Sequence, residues 1–321
     1  MPSAIRTWLQ LVRAPNLFTV PGDPFAGYVL AAYGAFEPSV YYALGASVCF
    51  YAAGLLDNDL ADLAEDRVER PNRPLPSGAA SPRSVAIIAA VLVGVGLVLA
   101  AKMGAPALVI ALAIVAAVGL YNHVTKHLPV IGALNMGVCR GLSVLLGATA
   151  APHPELLWRL LIAGRLDPLL IACGLVTLYI AAVTHLARFE TKAQAPPLAK
   201  WLPALVMLGG SILFLGQIHM PILEMSGGAS DFFARMPGNT FWSTAAILGV
   251  AVFNAGGAAL HLASDSSAPV PPVIGQLIRL LLLAQTAFCA AVGTGQASLA
   301  AALLILAWPI SRAVSRRFYA S

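Results

Sequence analysis

Charged residues are scarce in this chain of 321 residues, in which Asp, Glu, Lys and Arg together account for 10%. Soluble globular domains usually contain about 25% of these residues. Hydrophobic residues reach 59%, and the mean hydropathy is +0.81. This composition excludes an ordinary water-soluble protein and predicts an integral membrane protein that is surrounded by membrane lipids.

The sequence also lacks the common motifs of metal and phosphate sites. Its four cysteines form no C-x-x-C pair, and its six histidines are dispersed without an H-E-x-x-H spacing. A Gly-rich phosphate loop, a nucleophile elbow and a nucleic-acid-binding module are absent as well. These absences argue against a zinc site, a hydrolase-type serine nucleophile and a nucleic-acid partner.

Long apolar runs recur along the whole chain, each long enough to cross about 30 Å of hydrocarbon. Their continuous rather than alternating apolarity indicates helices. The sequence therefore predicts one all-α domain over residues 1–321, a polytopic transmembrane helical bundle. Ten spans are predicted, at 16–34, 40–56, 84–101, 105–121, 131–150, 168–186, 202–219, 241–262, 274–292 and 297–311.

The distribution of basic residues predicts the orientation of these spans. With a cytoplasmic N-terminus, thirteen of the 19 lysines and arginines fall on the cytoplasmic side and four on the other. Cytoplasmic loops of membrane proteins are enriched in basic residues. We therefore expect an integral protein of the bacterial inner (plasma) membrane whose charged loops face the cytoplasm.

Residues 58–78 concentrate polar side chains directly after an apolar run. In a helix from Asn58 to Arg70, five carboxylates and one amide occupy roughly a third of the circumference at about 100° per residue. Like charges three or four residues apart repel each other, so this stripe favours a bound cation. Mg²⁺ prefers hard oxygen ligands and commonly bridges to phosphates. The arginines at 67, 70 and 73 favour a phosphate-bearing substrate, and a solvated acidic face is the alternative interpretation.

The pattern N-D-x-x-D-x-x-x-D from Asn58 to Asp66, followed by R-P-L-P-S-G at residues 73–78, resembles the first aspartate-rich motif of the UbiA family of intramembrane prenyltransferases. The resemblance implies a UbiA-like bundle, commonly of nine spans, with two four-helix halves around a central cavity. It also implies Mg²⁺-dependent transfer of a prenyl group from an isoprenoid diphosphate to an aromatic or other hydrophobic acceptor. The metal ligands that the resemblance implies are Asn58, Asp59, Asp62 and Asp66.

Further residues complete the predicted site. Tyr121 and Lys126 resemble the Y-x-x-x-x-K element of this family. Arg140 lies inside a span, where a charge usually faces a cavity or a partner, so it either lines a polar chamber or pairs with an acid of another helix. We predict catalytic roles for Asp62, Asp66 and Lys126. The predicted substrate-binding residues are Arg73, Tyr121, Lys126, Arg140, Arg188, Glu190 and Lys192.

The loop after the sixth predicted span departs from the family. It reads T-H-L-A-R-F-E-T-K from Thr184 to Lys192, and Glu190 is its one acid where the family carries a second aspartate-rich motif. The L-A-R-F-E stretch resembles the UbiA-like members of Ebo-type bacterial gene clusters. The alternative function is therefore a non-catalytic UbiA-like membrane protein that binds or exports a hydrophobic metabolite precursor.

Overall fold

A computed structural model describes residues 4–33, 36–154, 162, 167–190, 195–219, 238–265 and 268–318. The described residues contain helices and no strand, which confirms the all-α prediction. The α-helices are α1 (Ala4–Leu11), α2 (Ala14–Leu17), α3 (Gly22–Ala32), α4 (Val40–Ala61), α5 (Leu63–Glu69), α6 (Pro82–Lys102), α7 (Ala105–His123), α8 (Pro129–Ala148), α9 (Pro168–Ala187), α10 (Pro197–His219), α11 (Gly238–Ser264), α12 (Val270–Ala290) and α13 (Gly295–Phe318).

Nine helices in the described part of the chain are long and apolar enough to cross a membrane. They match nine of the ten predicted spans, from the second to the tenth. Their ends differ from the prediction by a few residues: α4 continues beyond residue 56 to Ala61, and α12 begins at Val270 rather than at 274. The chain is an integral membrane protein built as a helical bundle.

The first predicted span, 16–34, is not a continuous helix, so that prediction was wrong. The four-residue α2 is followed by a turn, and α3 has only 11 residues, which corresponds to about 16 Å of rise. The break falls where Pro21 and Pro24 flank Gly22, and proline removes backbone donors that a continuous helix needs. Nine of the eleven residues of α3 are buried, so this short helix lies inside the bundle.

Four helices form the centre of the bundle. The buried helix α3 packs against α8 and α12, and α9 packs against the same two helices. Gly27 and Gly147 permit the closest approach, because a Cβ atom at either position would collide with backbone of the facing helix. Small residues of this kind allow helices to approach closely in membranes. These contacts bring the first half of α3 against the C-terminal end of α8.

The outer helices present apolar side chains to the surroundings. On α6, Ile87, Val91, Val95 and Val98 follow one another at helical spacing, and each side chain is exposed. Such a stripe suits the lipid tails of a bilayer. This face of α6 therefore suits lipid, whereas polar and charged residues such as Asp23 and Arg140 are buried inside the bundle.

Candidate active site

A cavity of about 370 Å³ lies between α4, α7 and α8. Its described lining residues all fall between Arg13 and Ser143, so they come from the first half of the chain. Along α4 the lining runs from Ser47 to Asp62, which is roughly 22 Å at about 1.5 Å per residue. The cavity is thus long and narrow, with charged residues at one end and mostly apolar residues along its length.

The charged end is built by the junction between α4 and α5. The helix breaks at Asp62, yet its hydrogen-bond ladder continues: the Asp62 N–H donates to the Asn58 carbonyl at 2.9 Å, and the Asp66 N–H donates to the Asp62 carbonyl at 2.8 Å. Asn58, Asp62 and Glu65 recur at helical spacing and line the cavity. The Asn58 side-chain amide donates to Asp62 Oδ2 at 3.0 Å.

The other two predicted metal ligands do not line the cavity. Asp66 is 6% exposed and accepts a hydrogen bond from Arg73 Nη1 at 2.8 Å. Asp59 lies 3.7 Å from Arg13 Nη2. The predicted set of four therefore separates into Asn58 and Asp62 in the cavity wall, and Asp59 and Asp66 behind it in ion pairs with arginines.

Lys126 reaches the same end of the cavity from a short 3₁₀ turn after α7. Its ammonium forms an ion pair with Asp62 Oδ1, and its side chain is 12% exposed. Asn135 fixes this turn by donating to Thr125 Oγ1 at 2.9 Å and to the Ala117 carbonyl at 3.1 Å. Lys126, for which the sequence predicts catalytic and substrate-binding roles, thus lies against the acidic segment, and Tyr121 also lines the cavity.

Arg140 satisfies both alternatives left open by the sequence, because it lines the cavity and also pairs with an acid of another helix. Its Nε lies 2.5 Å from Asp23 Oδ2, and Asp23 is completely buried. The guanidinium also lies over the ring of Tyr51, with 5.8 Å between its carbon and the ring centroid. Tyr51, over which Arg140 lies, precedes Asp62 by eleven residues. Arg140 is therefore roughly 16 Å from Asp62 along the direction of α4.

The loop after α9 meets the acidic segment without lining the cavity. Glu190 accepts a hydrogen bond from Arg70 Nη2 at 3.1 Å, and both side chains are partly exposed. Arg188 is absent from the cavity lining. The predicted substrate-binding residue Lys192 lies outside the described residues.

Two acids near the site were absent from the predicted set. Glu65 lines the cavity, and its place on the polar stripe of the predicted helix was a signal that would have found it. Asp57 accepts a hydrogen bond from the Asn122 amide at 2.7 Å, and its Oδ2 lies 3.2 Å from His123 Nε2. Asp57 directly precedes the motif, yet nothing in the pattern marks it as a tie between α4 and α7.

Comparison with known proteins identifies the family to which this fold and cavity belong. The model of the UbiA prenyltransferase family matches residues 24–200, which is more than half of the chain. This chain belongs to the UbiA prenyltransferase family. The predicted family is therefore confirmed, and the match ends close to the loop after α9.

The curated relatives are archaeal enzymes. The chain is 28% identical to digeranylgeranylglyceryl phosphate synthase from Sulfolobus acidocaldarius over 148 residues, which is 46% of this chain and 54% of the relative. It is 33% identical to the enzyme of the same name from Methanopyrus kandleri over 165 residues, which is 50% of this chain and 59% of the relative. The chain thus spans about half the length of the curated relatives it matches.

Solved UbiA structures share the fold over nearly the whole chain. A digeranylgeranylglyceryl phosphate synthase structure superposes with a TM-score of 0.60 at 20% identity, covering 91% of this chain and 99% of the other. A UbiA homologue from Archaeoglobus fulgidus bound to DMAPP and Mg²⁺ superposes with a TM-score of 0.58 at 11% identity, covering 90% and 99%. At these identities the likeness establishes a shared fold.

The oxygen donors of this UbiA cavity fit Mg²⁺ chemically. No group of three or more His, Cys, Asp or Glu side chains among the described residues is arranged to hold a metal by itself. Mg²⁺ in phosphate-transfer sites, however, takes one or two carboxylates and completes its shell with substrate phosphates and water. Asn58, Asp62 and Glu65 supply one amide and two carboxylates on one wall, which matches that requirement when a phosphate substrate is bound.

Proposed function

We propose that this protein transfers an isoprenoid group from its diphosphate to a hydrophobic acceptor inside the membrane. The observation that carries the proposal is the cavity itself, in which carboxylates and cations meet at one end of a long apolar channel. Membership of the UbiA family supports it. A UbiA homologue bound to DMAPP and Mg²⁺ and another bound to GPP and Mg²⁺ share the fold.

The charged end of the cavity binds the diphosphate. Asn58, Asp62 and Glu65 would hold Mg²⁺, which would neutralise the diphosphate and stabilise the charge of the leaving group. Lys126 and Arg13, which also line this end, donate to the remaining phosphate oxygens. Asp59 holds Arg13 at the edge of the cavity through its ion pair, and Asp66 pairs with Arg73, which does not line the cavity.

The reaction breaks the bond between the allylic C1 atom and the diphosphate oxygen. Diphosphate leaves with the bonding electron pair, a nucleophilic atom of the acceptor forms a new bond to C1, and the acceptor then loses a proton to water at the charged end. The apolar wall, including Val20, Phe50, Ile114 and Met136, keeps water away from the allylic cation, which water would otherwise convert to an alcohol.

The cations of the site have two roles at different stages. Without substrate, Lys126 neutralises Asp62, which relieves the repulsion among the clustered carboxylates. With Mg²⁺ and a diphosphate bound, Asp62 would serve the metal instead of Lys126, and the Lys126 ammonium would donate to the phosphate oxygens. The metal would free Lys126 for the diphosphate, and the diphosphate would draw Lys126 away from Asp62, so the two ligands would bind cooperatively.

The charged end faces the cytoplasm of a bacterial inner membrane. The asymmetry of basic residues along the chain supports this orientation. Water-soluble Mg²⁺ then reaches the cavity from the cytoplasm, while the hydrophobic tail and acceptor enter from the bilayer.

A second candidate function is supported by the loop after α9. Glu190, its one acid, is engaged by Arg70, and no described residue of the second half of the chain lines the cavity. A protein without a second metal site can still bind a prenyl diphosphate or another hydrophobic metabolite and hold or export it without turnover. In that case the carboxylates of α4 and α5 serve binding alone.

Product formation separates the two functions. Purified protein in lipid nanodiscs, supplied with Mg²⁺, a radiolabelled prenyl diphosphate and a panel of hydrophobic acceptors, is expected to form labelled product. Asp62→Asn is expected to lower the rate by about 10²–10³-fold, the typical cost of removing one group that stabilises developing charge. Tight binding of the diphosphate without product on any acceptor would support the non-catalytic function instead.

A further inference from the structure

The deep end of the cavity carries a buried charge pair that the diphosphate site does not use. Among the described residues, Arg140 is the one charged side chain that lines the cavity away from its charged end. It lies about 16 Å along α4 from Asp62, beside Tyr51 and the hydroxyl pair Ser47–Ser143, whose oxygens are 2.6 Å apart. A ligand group that contacts Arg140 is therefore separate from the diphosphate.

Two helices outside the cavity hold Arg140 in place. Asp23 of α3 accepts from Gln285 of α12 through Oδ1 at 2.6 Å and faces Arg140 Nε through Oδ2 at 2.5 Å. Arg140 Nη2 donates to the Thr19 carbonyl at 2.9 Å, and Gln285 donates to the same carbonyl at 2.9 Å. These contacts fix the guanidinium on one side and make Asp23 and Gln285 positioning residues.

One nitrogen of Arg140 is left for a ligand. Nε is buried against Asp23 Oδ2 in the ion pair, and Nη2 donates to Thr19, whereas Nη1 contacts neither of these partners and has no hydrogen bond among the described residues. Since Arg140 lines the cavity, Nη1 supplies hydrogen-bond donors at the deep end. The hydroxyls of Ser47 and Ser143 add a second polar group on the same part of the wall.

The net charge of the Arg140–Asp23 pair determines which ligand the deep end of the cavity accepts. An arginine side chain stays protonated in proteins, and Asp23 forms an ion pair with the Arg140 guanidinium. Arg140 and Asp23 together are therefore neutral. A second carboxylate or a phosphate placed against Arg140 would leave a buried, uncompensated negative charge, which is strongly unfavourable in an apolar interior.

We propose that the deep end of the cavity selects an acceptor by a neutral oxygen, a hydroxyl or carbonyl group, and rejects acceptors that carry a carboxylate or phosphate there. The inference rests on the proposed transferase function. It names a substrate class that differs from the phosphate-bearing product in the name of the curated relatives. Arg140 Nη1 donates to the neutral oxygen, while the nucleophilic atom of the acceptor faces C1 of the prenyl group.

A matched pair of ligands tests this inference by binding alone. Methyl 6-hydroxy-2-naphthoate and the free acid share one ring system and one hydroxyl and differ in charge at the far end. Each is titrated into the full-length protein in nanodiscs with Mg²⁺ and a non-hydrolysable prenyl diphosphate analogue present. We expect the ester to bind at least about tenfold more tightly than the acid, because only the acid buries an unpaired charge.

Two variants test the assigned cause. Asp23→Asn leaves Arg140 without its counter-ion, so the order of affinities should reverse and the acid should bind about tenfold more tightly than the ester. Because removing one partner of a buried pair also destabilises the fold, the double variant Asp23→Asn/Arg140→Gln supplies a neutral pair. This double variant should still bind the ester more tightly than the acid, because its side-chain pair is neutral, although the hydrogen-bond donors of Arg140 are gone.

The outcomes distinguish this inference from the proposed function. Equal or tighter binding of the acid by the parent overturns the inference, as does binding of neither ligand or an unchanged order in Asp23→Asn. If the parent prefers the ester in the binding experiment but forms no labelled product from it, the neutral-oxygen site stands and the transferase function fails. If the acid is prenylated faster than the ester, the transferase function stands and the inference fails.

Discussion

Removing the ammonium of Lys126 should tighten Mg²⁺ binding and slow the reaction at the same time. Lys126 and Asp62 form an ion pair in a partly shielded place, with side-chain exposures of 12% and 22%. Two unit charges about 4 Å apart interact by about 4 kcal/mol at an effective dielectric constant of about 20. Only part of this interaction energy should appear as a change in the free energy of Mg²⁺ binding, because water and neighbouring groups compensate for the lost ion pair.

We therefore expect Lys126→Gln to bind Mg²⁺ alone about tenfold more tightly than the parent, a gain of about 1.4 kcal/mol. The same substitution removes a phosphate donor, so turnover should fall by about 10²–10³-fold. The cooperativity between Mg²⁺ and a prenyl diphosphate should shrink, because the lysine that moves from Asp62 to phosphate is missing. Calorimetric titration in nanodiscs, with and without the diphosphate analogue, measures both affinities.

The matched control is Lys102→Gln, which removes the same charge from an exposed position at the far end of α6. It should change neither Mg²⁺ affinity nor turnover. If Lys126→Gln weakens Mg²⁺ binding in the absence of diphosphate, Lys126 does not compete with the metal for Asp62. The exchange of partners described above would then be refuted.

Three further predictions concern the surroundings of the site. Asp66→Ala should lower the free energy of unfolding by about 3 kcal/mol, because it leaves the mostly buried Arg73 side chain without its partner. In denaturant titrations, the double variant Asp66→Ala/Arg73→Met should recover much of this loss. Additive losses from the two substitutions would contradict the coupling. Glu190→Gln and Arg70→Gln should each change the free energy of unfolding by less than about 1 kcal/mol, since the pair is partly exposed. The two substitutions should change turnover by the same factor, and the double variant should change it no further. A larger effect of Glu190→Gln that is independent of Arg70 would indicate that Glu190 is a metal ligand. In a variant without the native cysteines, Asn72→Cys should react with a membrane-impermeant maleimide that is added on the cytoplasmic side. Lys102→Cys should react when the reagent is added on the opposite side. The reverse pattern would overturn the orientation.

The helical spans and the acidic segment could be predicted from the sequence because both depend on local patterns. Continuous apolar runs long enough to cross a bilayer identify α4 and α6–α13. Helical periodicity alone puts Asn58, Asp62 and Glu65 on one face, and the cavity lining agrees. Apolar run length was misleading at residues 16–34, where Pro21 and Pro24 interrupt the helix although the run remains hydrophobic.

The division of the motif could not be predicted from spacing. Asp59 and Asp66 belong to the same broad polar stripe as Asp62, yet neither lines the cavity, because Asp59 pairs with Arg13 and Asp66 pairs with Arg73. Arg13 comes from the loop before α2, far from the motif in sequence, so its partner depends on the packing of the first helices. The same holds for Asp23 and Arg140, which meet because α3 and α8 approach closely at glycines.

The central claim is that the cavity between α4, α7 and α8 is the place where a prenyl diphosphate binds and reacts. A photoreactive prenyl diphosphate analogue with its reactive group on the hydrocarbon tail tests this directly, with cross-linked residues identified by mass spectrometry. Mg²⁺-dependent cross-links to the cavity wall at Phe50, Ile114 and Met136 are predicted, and Asp62→Asn should abolish them. Cross-links confined to α9–α12, or labelling of the cavity that is unchanged in Asp62→Asn, would contradict the claim.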